Sequence, residues 1–467
     1  MAAAALVSSC LAHAEVGTET KQLASDIFKQ LIEINTTDSV GSVTAASEAM
    51  AQRFRDAGFP ESDIHVLGAT DRTKNLVVRL HGTGKRRPVL IIGHLDVVEA
   101  RREDWSTDPF KLVEKDGYYY GRGTLDMKSV DAIDVATVIR LRKDGYRGNR
   151  DIILALTAGE ESGIANGVDW LLKNHRELVD AEYALNGDDV GVYTDHGKPK
   201  FVQMIASEKV YADFQLTVTN PGGHSSLPVP DNAIYRLAAG LERLAAYEFP
   251  FELNDVTRAY YERIAKQEIG ERAVDIRALL ATPPNPAAVE RVTKDRLDYA
   301  RTHTTCVATR LEAGHASNAL PQMARAIVNC RVLPGHTAEE TRRTVIGVLA
   351  DANIVVRYVA SDGRVLESAE SKHGFAPPAL RADVMTSLEK VAGSMWPGAP
   401  VIPTMAVGAS DAVYTSAGGI PTYLVCGLAI EPDDDRSHGQ DERLAVASFD
   451  GGLDFYYRFL KALLAQP

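Results

Sequence analysis

Cysteine is scarce in this chain, with four in 467 residues. That is too few for the disulfide scaffold of a small secreted domain, and neither a CxxC pair nor a Cys/His cluster marks a thiolate metal site. Positive charge is also in deficit. Lys and Arg number 51 against 63 Asp and Glu, a formal charge of −12, the wrong sign for gripping a polyanion, so nucleic acid is not expected as a partner. No uninterrupted apolar run reaches the roughly 18–20 residues of a transmembrane helix, and no integral membrane segment is expected. Fixed-period repeats and low-complexity tracts are missing as well. With 45% hydrophobic and 24% charged residues the chain has ordinary globular composition, and its 467 residues predict two or three domains.

The first fourteen residues form a short apolar stretch ending in the small-x-small sequence Ala12-His13-Ala14, which resembles a secretory cleavage site although a basic start is lacking. Cys10, in Val-Ser-Ser-Cys, is a weak echo of a lipoprotein box, and a small residue in a discarded signal is the plainer reading. Residues 1–14 thus predict a signal peptide and a periplasmic or secreted enzyme, cytoplasmic if they are no signal. Cleavage after Ala14 leaves Cys306, Cys330 and Cys426, an odd and sparse set from which no disulfide framework is expected.

Beyond residue 20, helical and strand patterns alternate. Leu23, Ile27, Leu31 and Ile34 share a helical face, and a second helix is predicted over 45–58. Strands are predicted over 75–80, 88–92 and 151–156, the second apolar throughout and therefore central in a sheet covered on both faces, with helices over 127–143 and 167–174. That order predicts an α/β domain. Near Ser207 the texture changes to the one-sided alternation of residues 211–218, followed by a helix over 232–247, a charged stretch without clear alternation, a strand over 324–332 and a helix over 338–350. After this α+β block, a helix over 384–391, a strand over 421–425 and a closing helix over 445–464 restore the first style. A small domain inserted in a larger one is the simplest account.

Chemistry concentrates where strands end. Gly93-His94-Leu95-Asp96 directly follows the apolar strand, so His94 is expected at its carboxyl end, where open α/β sheets hold ligands. Asp126 opens a predicted helix, a position that an ordinary N-cap also explains, and Glu160-Glu161 follows the strand over 151–156, where a cation would relieve their repulsion. With Asp188 and His438 these residues supply two imidazoles and three carboxylates, a nitrogen/oxygen set that suits zinc, and leave Glu160 as a general base.

His94-Leu95-Asp96-Val97-Val98, Gly121-Arg122-Gly123-Thr124-Leu125-Asp126-Met127-Lys128, Gly159-Glu160-Glu161-Ser162-Gly163, Pro221-Gly222-Gly223-His224-Ser225-Ser226 and His438 occur in a known order. Over most of its length the chain resembles the co-catalytic zinc aminoacylases and carboxypeptidases: glutamate carboxypeptidase, aminoacylase-1, carnosinase-like dipeptidases and succinyl-diaminopimelate desuccinylase. The resemblance implies a zinc-peptidase α/β domain, with a central mixed sheet flanked by helices, over 15–207 and 367–467, and an inserted α+β lid and dimerisation domain over 208–366. It implies two zinc ions, replaceable by cobalt or manganese. Asp126 would bridge them, His94 and Asp188 would complete one site, Glu161 and His438 the other, Asp96 would orient His94, and Glu160 would activate a bridging water. Asp188 is a less regular match because Asp189 adjoins it. The lid would pair with its copy in a homodimer, carrying His224 to the partner's metals to stabilise the oxyanion. Asn318 and Arg331 match lid positions that hold a substrate carboxylate, a task suited to the planar guanidinium fork. The implied activity is hydrolysis of an amide next to a free carboxylate, of the carboxypeptidase or dipeptidase type. The alternatives are an N-acyl amino-acid amidohydrolase and a catalytically silent peptide-binding scaffold.

Overall fold

The structure, a computed structural model, describes residues 16–369 and 376–465; the predicted signal peptide and Cys10 lie outside them. The strand Val89–His94 is buried at every position because it runs between two parallel neighbours, Ile152–Thr157 and Tyr183–Asn186, with helices on both faces. Its alternate residues feed separate cores. Val89 and Ile91 join the side of helices Thr18–Glu33, Lys128–Lys143 and Val446–Leu464, while Leu90 and Ile92 meet Leu171 and Val179 on the other. Helix Lys128–Lys143 is buried almost all round, since it packs on the sheet and on both of those helices.

Antiparallel strands Lys74–Leu80 and Ile64–Gly68 extend one side of this sheet, and Thr422–Leu424 with Lys198–Glu208 the other, making it mixed. The three parallel strands at its centre deliver their carboxyl ends to the same rim. His94, Thr157 and Asn186 stand there, next to the loops that carry the candidate residues.

A second, wholly antiparallel sheet orders the strands Thr305–Ala313, Met323–Val332, Val210–Thr219, Val355–Val359 and Val365–Leu366. In Met323–Val332 every second residue is buried, giving a core of Phe214, Leu216, Val328 and Val345 under helices Ala233–Ala245 and Ala338–Leu349. The other face stays wet.

Two expectations need correcting. The charged stretch without alternation contains four helices, Asp255–Gln267, Gly270–Leu279, Pro286–Val292 and Arg296–Thr302, which pack on the first sheet and not on the second: Tyr261, Leu279 and Val292 share a core with Ile402. They are short and each buries a narrow face, so their periodicity is diluted by charged residues. The cysteines do form a disulfide: Cys306 and Cys330 lie directly opposite each other on adjacent antiparallel strands and are bonded, leaving Cys426 free among the described residues. Counting cysteines could not reveal that register.

Candidate metal centre and active site

Asp126 is the hub. His94 Nε2 lies 3.0 Å from its Oδ1 and His438 Nε2 lies 2.9 Å from its Oδ2, so its two oxygens face two different imidazoles. Asp188 Oδ1 is 3.6 Å from His94 Nε2, and Glu161 Oε2 is 3.1 Å from His438 Nε2. Two donor groups therefore share one carboxylate. Asp126 does not act as a helix cap: the helix starts at Lys128 with no side-chain cap. Asp189 points elsewhere, its Oδ1 accepting from Gln203 Nε2 at 3.1 Å, so it is Asp188 that meets His94.

Whether these residues suit a metal pair can be judged from their own contacts. Asp126 Oδ1 and Glu161 Oε1 are buried with no hydrogen-bond partner, a costly state for carboxylate oxygens that a cation would relieve. His94 Nδ1 donates to the Asp96 backbone carbonyl at 3.0 Å, so the Nε2 lone pair of the neutral ring faces Asp126 and Asp188. One nitrogen and two carboxylate ligand atoms, from His94, Asp126 and Glu161, lie within 4.8 Å of one another. This hard oxygen and imidazole set fits zinc, cobalt or manganese.

The role expected of Asp96 is divided differently. Its carbonyl orients His94, while its carboxylate lies 3.9 Å from the ring and accepts the N–H groups of Glu160 at 3.3 Å and Glu161 at 3.0 Å. Two fixed amide donors align better with it than the ring does. Asp96 thereby ties the His94 loop to the Glu160-Glu161 loop.

Glu160 and its neighbours line a cavity of about 320 Å³ together with Asp126, Glu161, Asp188 and His438. Burial, aided by the charges of Asp188, Asp411 and Glu161 and opposed by His94, pushes the Glu160 carboxyl up to about 10. The same crowding of acids is what bound cations would neutralise. Hydrogen bonds to Asp126 and Glu161 raise the His438 imidazole to about 10.

Three supporting acids have no role that the sequence reveals. Glu442, fully buried, accepts from Arg122 Nη1 at 2.6 Å and from the backbone N–H groups of Gly123, Leu125 and Asp126 at 3.1, 2.7 and 3.1 Å. Asp411 accepts from Asn166 at 2.6 Å and Thr157 at 3.0 Å. Glu208 in the cavity wall takes the Ser410 hydroxyl and N–H. The Gly121-Arg122-Gly123 and His438-to-Glu442 segments are visible as motifs, yet their pairing across the chain is not.

The lid residues stand apart from this cavity. His224 is exposed, on a two-residue strand pairing with Ala319-Leu320, and Ser225 N–H donates to the Asn318 carbonyl at 3.1 Å, so His224 and Asn318 are neighbours. Arg331 lies at the other end of Met323–Val332, its guanidinium 4.7 Å over the Tyr211 ring. At about 3.3 Å per residue, some 26 Å of strand separates Met323 from Arg331. Within one chain Asn318 and Arg331 therefore lie toward opposite ends of this stretch of strand.

Residues 90–462 match the sequence profile of peptidase family M20/M25/M40. The chain belongs to this family. It is 27% identical over 386 residues to the human N-fatty-acyl-amino acid synthase/hydrolase PM20D1, covering 80% of this chain and 74% of that one. It is 25% identical over 462 residues to pig aminoacylase-1, covering 97% and 98%. The fold is that of an M20 family metallo-carboxypeptidase from Sulfolobus solfataricus, with a TM-score of 0.70 at 17% identity over 97% of this chain and all of the other. As an M20 family member with this carboxylate and imidazole cluster, the chain is a metal-dependent hydrolase of the peptidase and aminoacylase type.

Proposed function

We propose that the protein is a dinuclear zinc hydrolase that cleaves an amide next to a free carboxylate, with Glu160 as general base. The observation that carries this reading is Asp126 offering one oxygen to each imidazole, 3.0 and 2.9 Å away, beside a cavity that also contains Glu160. Zinc ions held there supply Lewis acidity to the amide carbonyl and the attacking water. His94, Asp126 and Asp188 would hold one ion, Asp126, Glu161 and His438 the other. Glu160, whose own backbone is pinned by Asp96, takes a proton from water and returns it to the leaving nitrogen.

Ile205, Leu297 and Met405 in the cavity wall favour a second reading, an N-acyl amino-acid amidohydrolase, because they offer an acyl chain apolar surface. A hydrolysis screen of dipeptides and N-acyl amino acids, with metal analysis after zinc loading, separates the two readings. Close to two ions per chain and loss of turnover on chelation are expected; absence of bound metal would sink both.

A homodimer is part of the proposal. Ser226 N–H donates to His224 Nδ1 at 3.1 Å, which places the imidazole proton on Nε2, a donor suited to an oxyanion. Yet His224 and Asn318 do not line the cavity of their own chain. The exposed Val307 and Leu311 on the edge strand Thr305–Ala313 supply apolar area for a second copy, which would bring the two lid residues to its metals. The Cys306–Cys330 disulfide supports a signal-bearing, exported enzyme, since such bonds persist in oxidising compartments.

A further inference from the structure

The loop over 159–166, which carries Glu160, is pinned at its entry, middle and exit by different side chains. At the entry Asn75 Oδ1 accepts the Ala158 N–H at 3.0 Å, and in the middle Asp96 takes the N–H groups of Glu160 and Glu161. Asn166 forms the exit. Its Oδ1 accepts the Asp169 N–H at 3.0 Å and so caps the helix Gly167–Asn174, while its Nδ2 donates to Asp411 Oδ1 at 2.6 Å and lies 3.5 Å from the Gly159 carbonyl. The Gly167 N–H closes the loop on the Ala158 carbonyl at 2.7 Å.

Asp411 reaches this loop from 245 residues away. Its other oxygen, Oδ2, lies 3.0 Å from Thr157 Oγ1, and that hydroxyl is also 3.0 Å from the Gly93 carbonyl, directly before His94. Asp411 is only 3% exposed, and its side-chain donors are an amide and a hydroxyl; no lysine or arginine stands at salt-bridge distance among the described residues. Two neutral donors offset the cost of taking a charge out of water only in part, so packing alone does not account for an acid at this position. Substrate contact does not account for it either, because Ser410 lines the cavity and Asp411 does not.

We propose that Asp411, acting through Asn166, is a positioning residue for the general base: it fixes the exit of the loop over 159–166 and so holds Glu160 toward the cavity in the geometry that proton transfer from water needs. This rests on the proposed role of Glu160. A loop pinned at its entry and middle alone would pivot about the two amides that Asp96 holds, and a reacting group misplaced by about 1 Å loses on the order of 100-fold in rate. Through Thr157 and the Gly93 carbonyl the same carboxylate also stands beside the end of the His94 strand. The base and a candidate metal ligand are thereby set against one fixed group.

The test compares zinc-loaded wild type with Asn166→Ser, Asp411→Ala and Asp411→Asn on the best substrate from the screen. Serine keeps the helix cap but is too short to reach Asp411, so Asn166→Ser carries the test should Asp411→Ala not fold. Asn166→Ser and Asp411→Ala should lower kcat by about 10–100-fold, with KM changed by less than about threefold and metal content unchanged. Asp411→Asn retains an acceptor for Asn166 and should recover part of the loss. In a Glu160→Gln background the same changes should cost little more, because they act through the missing base. Hydrogen exchange over 159–165 should be faster in Asn166→Ser and Asp411→Ala, a readout independent of turnover. A loss that falls on KM would assign Asp411 to the cavity wall over 408–410 and overturn the proposal, as would equal losses with and without Glu160, or unchanged kcat and exchange in Asn166→Ser. Wild-type turnover in Glu160→Gln alone would defeat the general-base reading instead, while hydrogen exchange still decides whether Asp411 fixes the loop.

Discussion

Glu442 and Asp126, 316 residues apart, meet at a backbone hydrogen bond in which the Asp126 N–H donates to Glu442 Oε1 at 3.1 Å. The same carboxylate receives Arg122, Gly123 and Leu125, so it holds the whole loop that presents Asp126, the proposed shared ligand. Glu442 also follows His438 by four residues, which links the two halves of the proposed metal centre along the chain.

Glu442→Gln should therefore weaken metal binding although Glu442 touches no metal ligand side chain. An amide has one acceptor oxygen in place of two and leaves Arg122 without its counter-charge. Metal affinity is expected to fall by about 10–100-fold, the scale for residues that orient ligands, with activity recovered at higher zinc. Zinc titration against a competing chelator measures it, and an unchanged affinity would reduce Glu442 to a packing role.

The adjacent glutamates should separate cleanly. Glu160→Gln is expected to keep its metal and fold while turnover drops by about 100-fold or more, as for loss of a general base. Glu161→Gln should lose metal from the His438 side first. Identical metal content and near-normal rates in both variants would contradict this division.

Site sharing across a dimer is tested by mixing. His224→Ala and Glu160→Gln chains are each expected to be poorly active alone, whereas their heterodimer contains one site with both an intact base and an intact partner histidine. Partial recovery of rate on mixing is the expected result. Proven heterodimers without recovery would remove His224 from the partner's site.

Lys209 gives a pH-dependent stability. Its Nζ donates to the His303 carbonyl at 2.7 Å, and burial, with Arg331 nearby, pushes the amine from its ordinary 10.5 down to about 7. Below about pH 7 the amine is protonated in both folded and unfolded chains, and the cost of burying the cation is fully present. Between about 7 and 10.5 the unfolded chain binds more protons, so stability rises with pH. Lys209→Met should remove that slope. Its stability relative to wild type should be greatest near about pH 6.5 and shrink by about pH 9.5 in denaturant titrations; parallel pH profiles would show that Lys209 does not titrate in this window.

Much of the architecture was legible because its signals are local. An apolar run such as Val89-Leu90-Ile91-Ile92 can only be buried on both faces, and the His94 and Glu160-Glu161 segments follow their strands directly, at the rim where α/β sheets bind ligands. The one-sided alternation of 211–218 likewise announced a strand with one wet face.

Tertiary structure alone decided what depends on pairs far apart in the chain. Cys306 meets Cys330 through sheet register, Glu442 meets Asp126 through the fold of two loops, and Asp96 proves to hold two backbone amides as well as the loop of His94. Arg301 sits in a stretch whose short helices bury too little each to leave a period, so only their packing on the first sheet brings its charge into the cavity. Residue type and strand position determined what chemistry was available. Which charges would be satisfied, and which left open for a ligand, was set by long-range burial, because a charge removed from water must take its partner from whatever part of the chain packs against it.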